Sequence, residues 1–184
     1  ELKFSFKASN VSSASAAFNL TVHVYDPAAD AVVYLTVRNK GVLATAKDGA
    51  VMADQPVTVK DINSDGELTF DEALVAAHAA YNSAEGYTAT AGDYGLSVEK
   101  LWGENTFNTL FFINNEGLAS GVGTDTVTAG DHLVASVNAD NVSHADWYSF
   151  FNKRTDTVTA GDSITLTLKG HLGMAWADED KANV

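Results

Sequence analysis

Asp61, Asn63, Asp65, Glu67, Thr69 and Glu72 bring six oxygen donors into one stretch of twelve residues. The run Asp61-Ile62-Asn63-Ser64-Asp65-Gly66-Glu67-Leu68-Thr69-Phe70-Asp71-Glu72 satisfies D-x-[DN]-x-[DN]-G-x5-E at every constrained position. This is the chemistry of a hard cation, since Ca2+ takes six to eight oxygens at roughly 2.3–2.6 Å. The side chains of Asp61, Asn63 and Asp65 converge only if the chain wraps around one point, and Gly66 permits the sharp turn. Glu67 then supplies its carbonyl oxygen, Thr69 binds directly or through water, and Glu72 closes the sphere with both carboxylate oxygens. Three carboxylates this close repel one another, so the loop is expected to be loose without a cation, and binding energy becomes folding energy. The plain alternative is an Asx-type turn followed by acidic capping of a helix.

The segment entering this loop, Pro56-Val57-Thr58-Val59, reads as a strand, because proline and three β-formers argue against an entering helix. No second loop of the type occurs in the chain. Regulatory loops of this kind work as helical pairs that open on binding, so a lone one entered by a strand is expected to be a structural clip. An affinity of about 10⁻⁴ to 10⁻³ M, as in extracellular modules, is expected.

Other residues carry weaker chemistry. Trp102 and Trp147 sit in the aromatic stretches that also hold Phe107, Phe111, Phe112, Tyr148, Phe150 and Phe151. Consecutive aromatics in a strand face opposite sides, so one of each pair could line a groove for a sugar or an apolar ligand, the alternative being core packing. Asn138, Asp140, Asn141 and Asp146 are expected to do turn chemistry rather than bind a second cation. The five histidines show no metal-ligand spacing and are read as packing or surface residues. Neither a nucleophile elbow, a zincin motif nor a phosphate-cradling loop is present, and the expectation is a non-enzymatic protein.

Around these residues the pattern is mostly of period two, with a buried face every second position. Strands are expected in 2–6 and 18–24, then over 32–37, 56–59, 96–102, 109–113, 133–137, 147–151 and 163–168. Between them the alanine-rich run 71–81 changes to helical spacing, with Leu74, Val75, His78 and Tyr81 recurring, and Asn82 and Gly86 stop it. The octapeptide TDTVTAGD occurs twice, at 124–131 and 155–162, and each copy is expected to form a hairpin on a tight turn at Gly130 or Gly161. The fold class is therefore α+β, mostly β, with one main helix after the calcium loop. Residues 1–174 are expected to form a single domain, with a possible subdivision at residue 40, and 175–184 a polar tail or linker.

Composition narrows the partners. Acidic residues outnumber basic ones 24 to 11, a net charge of −13 that repels phosphate backbones and suits divalent cations, so nucleic acid is not an expected partner. Cysteine is absent, which removes disulfides and thiolate zinc sites and is compatible with a surface protein stabilised by metal. Direct membrane insertion is not expected, because no run approaches the roughly 18 apolar residues of a span.

The stretches GVLATAKDGAVMADQPVTVKDINSDGELTFDEALVAAHAAY, KLWGENTFNTLFFINN, TVTAGDHLVASV and DWYSFF resemble modules of large surface proteins of Gram-positive bacteria. In outline the chain also resembles the transcobalamin C-terminal-like domain, a relative of the β-grasp fold. The resemblance implies a β-grasp-like sheet and a secreted or wall-attached setting, with Ca2+ as cofactor. It also implies one of two roles: spacer, adhesion or partner-binding unit, or a site for a cobalamin-like molecule or an oligosaccharide. No residue here maps onto a cobalamin contact. A dockerin-like module shares the calcium loop but ordinarily has two of them.

Overall fold

A computed structural model describes residues 27–106, 108–140, 146–172 and 179–180. The strands expected in 2–6 and 18–24 lie outside the described residues. In chain order the elements are β1 (Ala31–Asn39), β2 (Val42–Leu43), β3 (Gln55–Val59), α1 (Phe70–Tyr81), a 3-10 turn (Ala84–Gly86), β4 (Thr88–Gly92), β5 (Gly95–Leu101), β6 (Glu104–Asn105), β7 (Thr109–Ile113), β8 (Glu116–Gly117), β9 (His132–Val137), β10 (Trp147–Phe151), β11 (Leu168–Leu172) and β12 (Glu179–Asp180). The fold is α+β and mostly β, with a single α-helix among the described residues.

The main sheet is centred on β1, whose alternation buries Ala31, Val33, Leu35 and Val37 on one face and leaves Val32 and Tyr34 on the other. One edge of β1 pairs antiparallel with β3 (Val33 opposite Val57), the other parallel with β9 (Leu35 opposite Leu133), and β9 pairs antiparallel with β7. A parallel pair needs a long crossover, and α1 lies within the chain that makes it. The helix buries Phe70, Ala73, Leu74 and Ala77, which join β1, β3 and β9 side chains in one core. Phe111 and Phe112 face opposite sides of β7, as strand geometry requires. Phe111 meets Phe70 edge-on at 5.4 Å, whereas Phe112 stacks on Tyr148 of β10 at 4.2 Å and forms a second, smaller cluster with Val134.

Two expectations are corrected. The repeated octapeptide makes the expected turns: Gly130 has φ 90° and Gly161 φ 100°, with Asp131 N–H donating to Thr128 O and Asp162 N–H to Thr159 O. The first turn does not join a hairpin, however, and the second lies within the long connection of the antiparallel pair β10–β11 rather than directly between paired strands. β9 takes β1 and β7 as partners, and Thr126, ahead of the first turn, bridges to Thr69 instead. The strand expected over 163–168 begins only at Leu168, because β11 pairs with β10 and β12 while 155–166 lies exposed along the surface. Within the expected tail, Glu179–Asp180 pair with Lys169 and Gly170.

Candidate calcium site

Residues 61–72 connect β3 to α1, entered by a strand and left by a helix as the sequence predicts. Gly66 has φ 92° and Ser64 φ 60°, the two left-handed residues that fold the acidic segment back on itself. Inside the turn Asp61 is the hub. Its Oδ2 accepts from the N–H groups of Gly66 and Ala28, both at 2.9 Å, and its Oδ1 from Asp65 N–H at 3.2 Å. Desolvation raises the Asp61 pKa, but N–H donors from Ala28, Gly66, Ser64 and Asp65 outweigh it and hold the carboxyl below its ordinary range. Asn63 accepts from Asp65 N–H at 3.0 Å and donates to Asp65 Oδ2 at 2.7 Å, while Asp65 Oδ1 accepts from Glu67 N–H.

Glu72 joins the two ends of the loop. Its Oε1 accepts from Ile62 N–H at 2.8 Å and its Oε2 from Thr69 N–H at 2.9 Å, although the residue is only 3% exposed. Thr69 in turn caps α1, its Oγ1 accepting from Glu72 N–H at 3.3 Å, so the pair forms a capping box. The Thr69 hydroxyl is thus committed to the helix end. Of the two modes expected for it, a link through water leaves this cap intact. Glu67, expected to supply its carbonyl, is exposed.

A segment distant in sequence braces this loop from behind. Val127 N–H donates to Leu68 O at 2.7 Å, Phe70 N–H to Asp125 O at 3.0 Å and Asp71 N–H to Val122 O at 2.7 Å. With Glu72 N–H on Thr69 Oγ1 and Thr69 N–H on Glu72 Oε2, all four N–H groups at the start of α1 that lack an intrahelical partner find acceptors. The bracing segment is itself held by the Asp125 carboxylate, which accepts from Ala119, Ser120 and Gly121. Burial raises the Asp125 pKa, but these three donors bring it below the usual value. The first TDTVTAGD copy therefore supplies the loop's strand contact, through Thr126 and Val127.

Among the described residues no three histidine, aspartate or glutamate side chains form a ready-made metal cluster. Asp61, Asp65 and Glu72 instead turn their oxygens to backbone N–H groups, and the loop has a hydrogen-bonded scaffold beyond the repulsion considered from sequence. The donor set itself suits Ca2+: every donor is oxygen, and Asp65 Oδ1 and Glu72 Oε1, which take their hydrogen bonds from Glu67 N–H and Ile62 N–H, each keep a lone pair.

The chain matches no known family model and no curated protein.

Trp102 and Trp147, the other candidate ligand residues, are not brought together by anything described. Trp102 follows β5, donates Nε1–H to Thr45 O at 3.1 Å and lines a hollow of about 370 Å3 with Lys40, Val42, Leu43 and Glu104. The Trp147 backbone belongs to β10, but its side chain lies outside the described residues. Asp146 does turn chemistry, accepting from the N–H groups of Ala139 and Asp140. Asn141 of the same cluster lies outside the described residues. His78 is a core residue and His132 stacks on Tyr34. No helix among the described residues is long and apolar enough to cross a membrane.

Proposed function

We propose that this chain is a non-enzymatic, calcium-stabilised module of a secreted or cell-surface bacterial protein, acting as a spacer, adhesion or partner-binding unit. The observation that carries the reading is the wiring of Glu72. One buried carboxylate bonds the first turn of the loop at Ile62 and the helix cap at Thr69, so a cation shared with Asp61, Asn63 and Asp65 ties β3, α1 and the 118–127 segment together. Asp61, Asn63, Asp65, the Glu67 carbonyl, Thr69 and Glu72 would hold the ion, and its binding energy adds to folding energy by mass action. The strand order β3-β1-β9-β7, with β1 and β9 parallel at the centre and α1 on one face, supports the β-grasp relationship.

Thermal unfolding with and without excess Ca2+ tests this. At a concentration about 100 times the dissociation constant the gain is about 2.7 kcal/mol, and EDTA should remove it. Identical melting curves in calcium and in EDTA exclude the reading.

A second reading, a ligand-binding domain, is supported by the hollow beside Trp102. Its size suits a sugar rather than a corrinoid, which is far larger than the space available. Titration of oligosaccharides against the Trp102→Ala variant tests it.

A further inference from the structure

The outer face of the main sheet is only partly covered. β10 lays Tyr148 over Phe112 and Val134, and beyond it a groove of about 500 Å3 opens between the β1–β2 end of the sheet and the chain leaving β10. That volume falls within the usual range for small-molecule sites, roughly 300–1,000 Å3. Thr36 and Tyr148 contribute to its floor, while Leu43 and Phe151 add exposed apolar surface.

The polar lining is out of character with the rest of the molecule. The chain carries a net charge of −13 and has only two arginines, Arg38 and Arg154. Both line this groove with one lining carboxylate, Asp54, and with Lys153, whose ammonium is paired with Asp156 at 2.7 Å. Arg154 is positioned in advance: its Nη1 lies 3.0 and 3.1 Å from the two Asp54 oxygens. Asp54 is itself fixed by His132 Nδ1 at 3.0 Å, by its own N–H on Thr36 Oγ1 at 3.0 Å, and by a left-handed backbone at φ 47°. Nη1 is committed to Asp54, and a guanidinium has further N–H donors on its other nitrogens. Burial, and the Asp54 charge after it, raise the Tyr148 phenol to about 12 against the opposing pull of Arg154 and Arg38.

We propose that this groove binds an acidic sugar, a pyranose ring carrying a carboxylate. Two guanidinium groups suit a planar carboxylate, which a fork of N–H donors meets with two parallel bonds. The exposed Phe151 and Leu43 side chains offer an apolar surface to the C–H face of a sugar ring, and Ser149 and Asn115 offer hydrogen bonds to its hydroxyls. A free phosphate would satisfy the charge but leave the apolar wall without a partner. The site is separate from the calcium loop and does not depend on it.

The test is calorimetric titration of the full chain with galacturonic acid, galactose and galactose 6-sulfate at low salt, repeated in EDTA. Galacturonic acid should bind about tenfold more tightly than galactose, which offers no charged acceptor, and more tightly than the sulfate. Arg38→Gln and Arg154→Gln should each weaken it by about tenfold, with Arg38→Lys recovering only part of the loss. Melting curves of the variants establish that each is folded. Equal binding of galactose, preference for the sulfated sugar, absence of saturable binding by galacturonic acid, or an Arg38→Gln variant that binds unchanged would each overturn the proposal. Loss of sugar binding in EDTA alone would also overturn it as stated, since the groove would then depend on the calcium loop.

Discussion

Val127 donates its backbone N–H to the carbonyl of Leu68 at 2.7 Å, joining a segment from the far half of the chain to the middle of the acidic loop. Leu68 and Val127 are both nearly buried, at 7% and 3% exposure, so the bond lies in an apolar setting where it is costly to lose. This contact makes the lone loop part of the core rather than a surface appendage.

Truncating that contact should therefore be felt in two measurements. Val127→Ala removes two methyl groups from a packed position and should cost about 1–2 kcal/mol in urea unfolding. It should also weaken calcium binding, because the loop loses its backing. An unchanged calcium affinity in a destabilised variant would show that the brace serves the core alone.

Gly66 tests the turn itself. At φ 92° an added Cβ is strained, and Gly66→Ala should cost about 1–2 kcal/mol. The distinguishing expectation is where that cost appears. If the loop holds an ion, the variant binds calcium more weakly than wild type by about tenfold or more. A variant less stable by the same amount with and without calcium would point to a turn that matters only for folding.

Glu72 has two roles that substitutions can separate. Glutamine keeps the shape of the capping box and one of the two acceptors but sets its NH2 against the other N–H, so Glu72→Gln should cost the calcium-free protein about 1 kcal/mol. Without the charge it should abolish the calcium-dependent gain. Glu72→Ala removes the cap as well and should cost about 1–2 kcal/mol even in EDTA. A Glu72→Gln protein that still gains stability from calcium would show that the ion is held without this carboxylate.

Local signals carried most of the fold into the sequence. The period-two runs located β1, β3, β5, β7, β9 and β10, because each has one buried face, and the switch to alanine with Leu74 and His78 located α1. The loop was legible because ligand spacing and the glycine are set within twelve residues. Non-local pairings were not. The Thr69–Thr126 bridge links residues 57 positions apart, and TDTVT reads equally well as a hairpin arm. Ser163 to Leu166 alternates well enough for a strand, yet that stretch has no edge to pair with until Leu168. Arg38 and Arg154 lie 116 positions apart with no shared motif, and only the fold brings them to one groove.

His78 makes the fold sensitive to acid. It is fully buried on α1 between Tyr87 and Trp102, with ring distances of 5.1 and 4.8 Å. Nδ1 lies 2.7 Å from Leu74 O, so it carries the proton, and Nε2 accepts the Trp102 backbone N–H at 3.0 Å. Burial pushes the His78 pKa below its ordinary value, with the Leu74 carbonyl pulling it partly back. A folded-state pKa lower than the unfolded one means that the neutral ring stabilises the fold. The contribution is complete above about pH 6.5 and is lost as pH falls from there towards the folded value, because the unfolded chain takes up its proton first. Protonation would also set an N–H against the Trp102 N–H. The carboxyl nearest this cluster works the other way: burial raises the Asp71 pKa despite its bond from Tyr87, so Asp71 favours the fold increasingly as acid protonates it. Unfolding in urea should accordingly show stability falling between pH 7.5 and 5.5, measured in EDTA to exclude calcium release. In His78→Leu the slope should flatten, and the protein should be weaker at pH 7.5 by about 1–3 kcal/mol, since Trp102 N–H loses its acceptor. A slope that persists in His78→Leu would assign the acid sensitivity to another group.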